Sequence, residues 1–384
     1  MIERSLLSTE HQIYADMVRR FIAAEILPHH AQWEKDGVVS REIWQLAGAN
    51  GLLCTSIDEA YGGPGGDFLH GAIVAEELAR VVAGGPNFSL HSDVIAPYLA
   101  AYGSDELKQK WLPRMVAGEA IGAIAMTEPD AGSDLQSMRT RAVRDGDHYK
   151  ISGQKTYISN GQLCDLVVLA CRTNDTPGAR GISLVLVETD REGFRRGRNL
   201  EKIGMKAQDT SELFFDEVRV PVSNVIGQEG RGFIQLMEQL PQERLLQAIK
   251  AIGVIEGMVE ETINYTRQRK AFGKQIADFQ NTRFRLADVK SNAVMMRVYV
   301  DRCIELHMQG KLDAVDAAMA KLQSTEMASK VLDECLQLHG GAGYMWEYPI
   351  ARAWAEARYA RIAGGTAEIM REIIGRSLLG KGRD

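Results

Sequence analysis

The residues best suited to chemistry lie in five short segments that are far apart in the chain. The first segment reads TEPDAGSD at residues 127–134 and follows the apolar residue Met126. Thr127, Gly132 and Ser133 would present hydroxyl groups and backbone N–H groups, which bind the edge of a heterocycle or a phosphate. An ordinary β-turn closed by its own side chains has the same composition. The spacing alone favours the turn.

The second segment, KTYISNG, occupies residues 155–161. Side chains alternate along an extended strand, so Tyr157 and Ser159 share one face and Ile158 points to the other. An aromatic ring beside a hydroxyl suits a flat ligand that also forms a hydrogen bond. A tyrosine packed in a strand core is the alternative, and this segment by itself favours it.

The third segment, RQRKAFGK, spans residues 267–274 and places four basic residues around Phe272. Arg269 is a candidate for a bidentate contact with a phosphate. Basic residues at a solvated helix end are equally typical, because they complement the helix dipole. The two interpretations are about evenly balanced.

The fourth segment, QLHGGAGY, covers residues 337–344 and contains Gln337, Gly340 and Gly341. A glycine cluster directly after a helix allows close approach of backbone to a ligand. It is also typical of a helix C-cap followed by a loop. His339 alone is better explained as a structural histidine than as a catalyst.

The fifth segment is GGTAEI, in which Gly364 and Gly365 precede Thr366 and Glu368. A threonine N-cap after two glycines exposes backbone N–H groups at a helix N-terminus. Such a terminus stabilises negative charge as it develops.

Composition excludes several classes of protein. The chain has 384 residues, 45% of them hydrophobic and 25% charged, with a net charge of -6, so it lacks the basic excess of nucleic-acid binders. No apolar run approaches the roughly 20 residues of a membrane span. The N-terminus resembles neither a signal nor a transit peptide. Five scattered cysteines predict free thiols in the cytoplasm, and the histidines show no metal-ligand spacing.

Hydrophobic periodicity divides the chain into a helical block at 1–122, a β-rich block at 123–230 and a helical bundle at 231–384. This helical, β, helical order predicts an α+β protein and not the alternating units of a dinucleotide fold. Strands are predicted at 123–126, 148–151, 166–171, 182–187 and 213–215. Four long helices are predicted at 244–268, 280–308, 313–338 and 366–379.

Taken together and in this order, the five segments resemble the acyl-CoA dehydrogenase family along essentially the whole chain. The glycine-rich loop YGGPGG at 61–66 fits the same pattern. The resemblance is greatest to the long-chain members, on the segments SLHS at 89–92, KAQDT at 206–210, PQERLL at 241–246 and YMWEYP at 344–349. It implies that family's fold: an N-terminal helical domain, a middle β-barrel-like domain and a C-terminal four-helix bundle.

The resemblance implies an FAD site shared between the β-domain, the bundle and a neighbouring subunit. Tyr157 takes the place of a tryptophan of many members, and Ser159 that of a threonine. By similarity, the FAD-binding residues are Met126, Thr127, Gly132, Ser133, Tyr157, Ile158, Ser159, Arg269, Phe272, Gln280, Gln337, Gly340, Gly341, Thr366 and Glu368.

One position departs from the common pattern of the family. Many members carry the catalytic glutamate where this chain has Gly364. Long-chain and isovaleryl-type members carry it in a Glu-Arg-Leu context, which Glu243, Arg244 and Leu245 match. Glu243 is therefore predicted as the base that removes the α-proton. Without the resemblance, Glu243 is better read as a glutamate in an early helical turn.

The resemblance also implies the substrate, the partners and the assembly. Ser133, Arg244, Gly364 and Gly365 are predicted to contact a medium- to long-chain or branched acyl-CoA, with the backbone N–H of Gly364 on the thioester oxygen. Electrons from FAD would pass to an electron-transferring flavoprotein. A homotetramer built as a dimer of dimers is expected.

Three alternatives remain at this stage. An acyl-CoA oxidase on the same scaffold would be reoxidised rapidly by O2. A flavin monooxygenase of this fold generally lacks the base, so Glu243 argues against it. A catalytically silent flavoprotein would show no bleaching with any acyl-CoA.

Overall fold

The computed structural model describes residues 4–380. Helices occupy both ends of this region and a sheet lies between them, in the order predicted from the sequence. The N-terminal helices are α1 Thr9–Phe21, α2 Leu27–Asp36, α3 Glu42–Ala49, α4 Phe68–Arg80, α5 Phe88–Leu90, α6 Ala96–Tyr102 and α7 Asp105–Val116.

The middle region is a curled sheet of seven strands in the order β1-β4-β2-β3-β7-β6, with β5 paired to β4. Val167 and Leu169 of β4 face one buried cluster of the sheet, whereas Val168 faces the core shared with the helices. The strands are β1 Gly122–Ala125, β2 Arg141–Asp145, β3 His148–Ser159, β4 Leu166–Arg172, β5 Ile182–Glu188, β6 Phe194–Asn199 and β7 Thr210–Pro221.

Two of these strands, β2 and β6, are absent from the sequence prediction. Their sequences, RAVRD and FRRGRN, are mostly polar and largely exposed. An alternating apolar pattern marks a strand only where one of its faces is buried. These two strands are held by hydrogen bonds to β3 and β7, which the sequence pattern does not reveal.

The C-terminal region begins with a helix of 37 residues, α8, which starts twelve residues before the predicted position 244. Pro241 lies inside it, so the proline does not mark the helix start. A small hairpin, β8 Lys270–Ala271 and β9 Lys274–Gln275, follows it. The remaining helices are α9 Gln280–Met308, α10 Ala314–His339, α11 Pro349–Ala357 and α12 Ala367–Leu379.

Two glycines let α4 and α8 pack with their backbones in close contact. A Cβ on Gly253 would lie 2.7 Å from the carbonyl oxygen of Glu76, and one on Gly257 would lie 1.9 Å from that of Arg80. Real Cβ atoms do not approach so closely, so the helix pair requires glycine here. One apolar core consequently runs from the N-terminal helices into α8 and α10.

A buried ion network ties α4, α8 and α9 together. Arg297 donates from Nη1 to Glu76 and from Nη2 to Glu256, both at 2.8 Å, and Arg80 donates to Glu256 at 2.7 Å. Burial opposes ionisation of Glu256, but hydrogen bonds and charge from Arg297 and Arg80 outweigh it and lower its pKa to about 2. Removing one partner of such a network leaves a buried charge uncompensated.

All five cysteines lie within the described region, and each is a buried free thiol. Over residues 4–380, no helix combines the length and the apolar character needed to cross a membrane.

Candidate active site

Glu243 lies on α8 where that helix passes α6. Its Oε1 accepts a hydrogen bond of 2.8 Å from the hydroxyl of Tyr98, a fully buried residue of α6. Burial raises the pKa of Glu243, while the Tyr98 hydrogen bond and the charge of Arg244 oppose that rise. No ion pair to Glu243 occurs in the part of the chain that the structure describes. Glu243 therefore combines a raised proton affinity with free lone pairs, as a general base requires.

Arg244 points away from solvent beside Glu243. The residue is 6% exposed, and its Nε has no hydrogen-bond partner among residues 4–380. Burial lowers its pKa, although Glu243 partly offsets this effect. A buried guanidinium with an unused N–H donor is suited to binding an acceptor on a ligand.

The loop of Gly364 and Gly365 joins the last two helices and has left-handed backbone at both glycines, with φ of 66° and 94°. A Cβ on Gly364 would lie 3.8 Å from Cγ of Gln247, so there is room for a side chain but the backbone angle favours glycine. Thr366 caps α12 by accepting from the N–H of Ile369 at 3.3 Å. Glu368, one residue into that helix, is exposed.

Lys321 of α10 holds this loop in place from beneath. Its side chain is fully buried, and its Nζ donates a hydrogen bond to the carbonyl oxygen of Gly365. Burial, with a contribution from the charge of Arg244, lowers the pKa of Lys321 to about 8. No sequence signal marks Lys321, because nothing in its helical position distinguishes it from a solvated lysine.

A cavity opens between α4, α8 and the segment after α11. Gln247, which approaches Gly364, lines it and accepts from the hydroxyl of Tyr359 at 3.3 Å. Its wall is mainly apolar, contributed by Ala75, Leu78, Ala79, Val82, Phe88, Met205, Ala251, Val254, Ala328, Ala357 and Ala360. The cavity therefore begins near Gly364 and suits an aliphatic chain.

Glu356 also lines this cavity and is 8% exposed. Burial, with the nearby charge of Glu34, raises its pKa to about 8, against an opposing effect of Arg352. The carboxyl group is consequently mostly neutral at pH 7, which is compatible with a mainly apolar wall.

A second group of predicted residues lies at one end of the sheet. Lys155, fully buried on β3, donates to Glu128 Oε1 at 2.8 Å and to the carbonyl oxygen of Met126 at 2.9 Å. The N–H of Thr156 donates to the carbonyl oxygen of Thr127 at 3.0 Å. These bonds fix Met126 and Thr127 beside β3, while Gly132 and Ser133 lie in the exposed loop that follows.

Tyr157 occupies a β-bulge in β3. The register with β7 shifts between Lys155 and Ile158, and Tyr157 has a φ of 59°, which is unusual for a residue other than glycine. Its side chain is 69% exposed, whereas Ile158 is buried and Ser159 is half-buried. The interpretation of Tyr157 as a core residue is therefore wrong. The bulge presents an exposed aromatic ring one residue after Thr156, which is hydrogen-bonded to Thr127, and an exposed ring fits the face of a flat heterocycle.

The predicted residues of the bundle lie on its surface. Arg269 ends α8, Phe272 lies in the β8–β9 hairpin with 95% of its surface exposed, and Gln280 begins α9. Gln337, Gly340 and Gly341 are exposed at the end of α10. Within residues 4–380, no hydrogen bond joins any of these side chains to the sheet residues 126–133 or 157–159. Within the described part of a single chain, hydrogen bonds do not join the two groups.

Several neighbours of Glu243 were not predicted from the sequence. Gln247 and Lys250 follow it at spacings of four and three residues, so all three side chains share one face of α8. That spacing was a usable signal for the cavity lining. Tyr98 carried no such signal, because only the packing of α6 on α8 brings its hydroxyl to Glu243.

Three family models match consecutive parts of the chain. They describe the acyl-CoA dehydrogenase N-terminal domain over residues 8–119, the middle domain over 123–218 and the C-terminal domain over 230–379. The mitochondrial long-chain specific acyl-CoA dehydrogenase of Sus scrofa is 51% identical over 378 residues, covering 98% of this chain and 88% of the relative.

Solved structures give the same result. The chain resembles a crystal structure of an acyl-CoA dehydrogenase from Geobacillus kaustophilus with a TM-score of 0.96 and 48% identity, covering 98% of this chain and 100% of the other. It also resembles a glutaryl-CoA dehydrogenase from Mycobacterium smegmatis in complex with FADH2, with a TM-score of 0.91 and 30% identity, covering 98% and 96%.

Proposed function

The chain belongs to the acyl-CoA dehydrogenase family, and on that premise we propose that it converts medium- to long-chain or branched acyl-CoA to trans-2-enoyl-CoA with Glu243 as the base. The predicted family and fold class are confirmed. The enzyme is an FAD-dependent acyl-CoA dehydrogenase. We propose in addition the length of the acyl chain and the roles of individual residues.

The observation that carries the proposal is the position of Glu243 relative to the Gly364 loop. Gln247, one helical turn after Glu243, approaches Gly364, so Glu243 lies one turn of α8 from the contact with the loop that carries the catalytic glutamate in many members. A thioester bound between them would expose its α-proton to the carboxylate of Glu243. The buried surroundings raise the pKa of Glu243 and favour proton transfer to it.

The negative charge that develops on the thioester oxygen needs a donor at that atom. We assign this role to the backbone N–H of Gly364, which glycine retains. Lys321 holds the neighbouring carbonyl of Gly365 and so restricts the orientation of the loop. FAD, when bound, supplies the acceptor for the hydride that leaves Cβ.

The residues at the end of the sheet have the chemistry needed to hold the flavin. Thr127 and Ser159 offer hydroxyls, and the exposed ring of Tyr157 offers a stacking surface. Arg269 and Gln280 would contact FAD from a neighbouring subunit. This division supports a homotetramer, as do the exposed apolar side chains Phe272, Phe284, Met295 and Val298. Light scattering that shows an active monomer retaining FAD would contradict the assembly.

The proposed test is a series of saturated acyl-CoAs from C4 to C18, scored anaerobically by bleaching of the flavin. Bleaching by chains of C8 and longer supports the proposal, and bleaching by C4 alone contradicts the substrate assignment. Reoxidation should require an electron-transferring flavoprotein. Rapid reoxidation by O2 without that carrier would instead identify an oxidase.

A further inference from the structure

One corner of the cavity described above is lined by a cluster of polar side chains. Lys250 of α8, Asn87 and Ser89 all line it. Oδ1 of Asn87 accepts from Nζ of Lys250 at 2.8 Å and from Oγ of Ser89 at 3.2 Å. A purely hydrocarbon ligand would leave this corner facing methylene groups.

The corner has more donors than acceptors. The ammonium group of Lys250 carries three donors, and the amide nitrogen of Asn87 carries two. Among the described residues, Lys250 has one hydrogen-bond acceptor, Asn87 Oδ1, and the amide nitrogen of Asn87 has none. Lys250 forms no ion pair there with the buried acid Asp93, although the two interact electrostatically. An oxygen atom on a ligand would satisfy these donors.

Lys250 is also largely charged near neutral pH. Burial lowers its pKa to about 8, and the negative charge of Asp93 opposes that change. A desolvated ammonium group forms stronger hydrogen bonds to a carboxylate or hydroxyl oxygen than a neutral donor does.

The position of Lys250 along α8 determines which carbon of a bound acyl chain would carry the oxygen acceptor. Lys250 lies seven positions after Glu243, which is a rise of about 10 Å along the helix. A fully extended chain advances about 3.5 Å per three bonds, or about 1.2 Å per bond, so about eight bonds span this distance from the α-carbon. A chain of about ten carbons therefore places its end at the corner.

We propose that the acyl pocket selects chains of about ten carbons that carry an oxygen acceptor, a hydroxyl or a carboxylate, at the distal end, and that Lys250 determines this specificity. The inference rests on the proposed function, since it assumes that the acyl chain lies in this cavity. Plain saturated chains of the same length are the poorer substrates, because they leave the Lys250 and Asn87 donors unpaired.

The test compares three substrates of the FAD-loaded enzyme: decanoyl-CoA, 10-hydroxydecanoyl-CoA and the mono-CoA ester of decanedioic acid. We expect kcat/KM for at least one oxygenated substrate to exceed that for decanoyl-CoA about tenfold. Preference for the diacid ester alone identifies an anionic ligand, and preference for both shows that a neutral acceptor suffices. A wild-type enzyme that favours decanoyl-CoA over both overturns the proposal, whether or not any variant folds.

The variant arm uses Lys250→Met, which keeps the length of the side chain but removes the donors. It should reverse the preference by raising kcat/KM for decanoyl-CoA and lowering it for the oxygenated substrates. Lys35→Met, on the exposed face of α2, is the matched control and should preserve the wild-type ratio. An unchanged ratio in Lys250→Met would refute the assignment to Lys250. If no acyl-CoA of any length bleaches the flavin, the proposed function itself fails.

Discussion

Two glutamates with limited exposure to solvent have opposite surroundings in this protein. Glu128, after β1, accepts from Lys155 at 2.8 Å and from the backbone N–H groups of Arg139 and Thr140 at 2.6 and 2.9 Å. Burial raises its pKa, but the charge and hydrogen bond of Lys155 outweigh burial, and the net pKa is lowered. Glu243 has a single phenol donor, and its net pKa is raised.

The difference separates a structural carboxylate from a reactive one. Glu128 is fully engaged, so it holds a charge that pairs with Lys155, and Lys155 in turn holds the carbonyl oxygen of Met126 after β1. Glu243 keeps free lone pairs one helical turn from Gln247, which lines the cavity, so it has the capacity to accept a proton. Burial alone does not identify a general base. The number of hydrogen-bond donors around the carboxylate distinguishes the two glutamates.

The largest expected effect is that of Glu243→Gln on turnover. The amide keeps the shape but cannot accept the α-proton, so kcat should fall about 10²–10⁴-fold while FAD and acyl-CoA remain bound. Glu238→Gln is the matched control, since Glu238 also lies on α8 and accepts from a tyrosine of α6, Tyr102, at 2.7 Å on the surface. A Glu243→Gln rate near that of wild type would rule out Glu243 as the base.

The next effect concerns the stability of the Glu128 region. Lys155→Met leaves the carboxylate of Glu128 buried without its cation, which should reduce the free energy of unfolding by about 3–5 kcal/mol. Lys150→Met, on the same strand, removes only a surface pair with Asp145 at 3.3 Å and should cost no more than about 1 kcal/mol. Urea unfolding monitored by circular dichroism measures both, and equal losses would contradict the structural role of the Lys155–Glu128 pair.

A relocated base tests whether positions 243 and 364 address the same proton. The double variant Glu243→Gly, Gly364→Glu should turn over about tenfold faster than Glu243→Gly alone, since a side chain at 364 has room beside Gln247. Recovery should be incomplete, because a φ of 66° disfavours a side chain by about 1–2 kcal/mol. A double variant that binds substrate but is no faster than Glu243→Gly would show that the two positions do not share one proton.

A smaller effect is expected for Tyr98→Phe. Loss of the phenol hydrogen bond raises the pKa of Glu243 further, so a larger fraction of the base is protonated at acidic pH. The acidic limb of the pH profile of kcat/KM should move to higher pH, with a loss of about 3- to 10-fold on that limb and little change on the plateau. Tyr102→Phe should leave the profile unchanged. A uniform loss at every pH would indicate a packing defect instead.

The smallest effect contrasts the two glutamates through the pH dependence of stability. The pKa of Glu243 is raised in the folded protein. Its contribution to the stability of the fold is therefore fully present below the pKa of the unfolded state and is lost as pH rises through the pKa of the folded state. Glu243→Gln should therefore unfold at a higher temperature than wild type at pH 8, and this gain should shrink towards pH 4. The pKa of Glu128 is lowered in the folded protein, so its contribution to stability is lost as pH falls. Thermal melts measured between pH 4 and pH 8 test this expectation. A Glu243→Gln protein that melts at a lower temperature than wild type at pH 8 would contradict it.

Much of the fold followed from sequence patterns where one face of an element is buried. Helix α9 was predicted with the observed bounds, and β4 and β5 were predicted to within one residue. The polar strands β2 and β6 were missed because cross-strand hydrogen bonds, and not apolar side chains, define them.

The sequence by itself determined the family, the cofactor and the candidate base, because these depend on residue types in a fixed order along the chain. Glu243 was selected by its context Glu-Arg-Leu and by the glycine at 364. Tertiary structure alone decided the environment of that base, because Tyr98 lies 145 positions away from it in the chain. It likewise decided that Lys250 and Asn87 meet in one cavity, since a contact between distant segments depends on helix packing that no local pattern specifies.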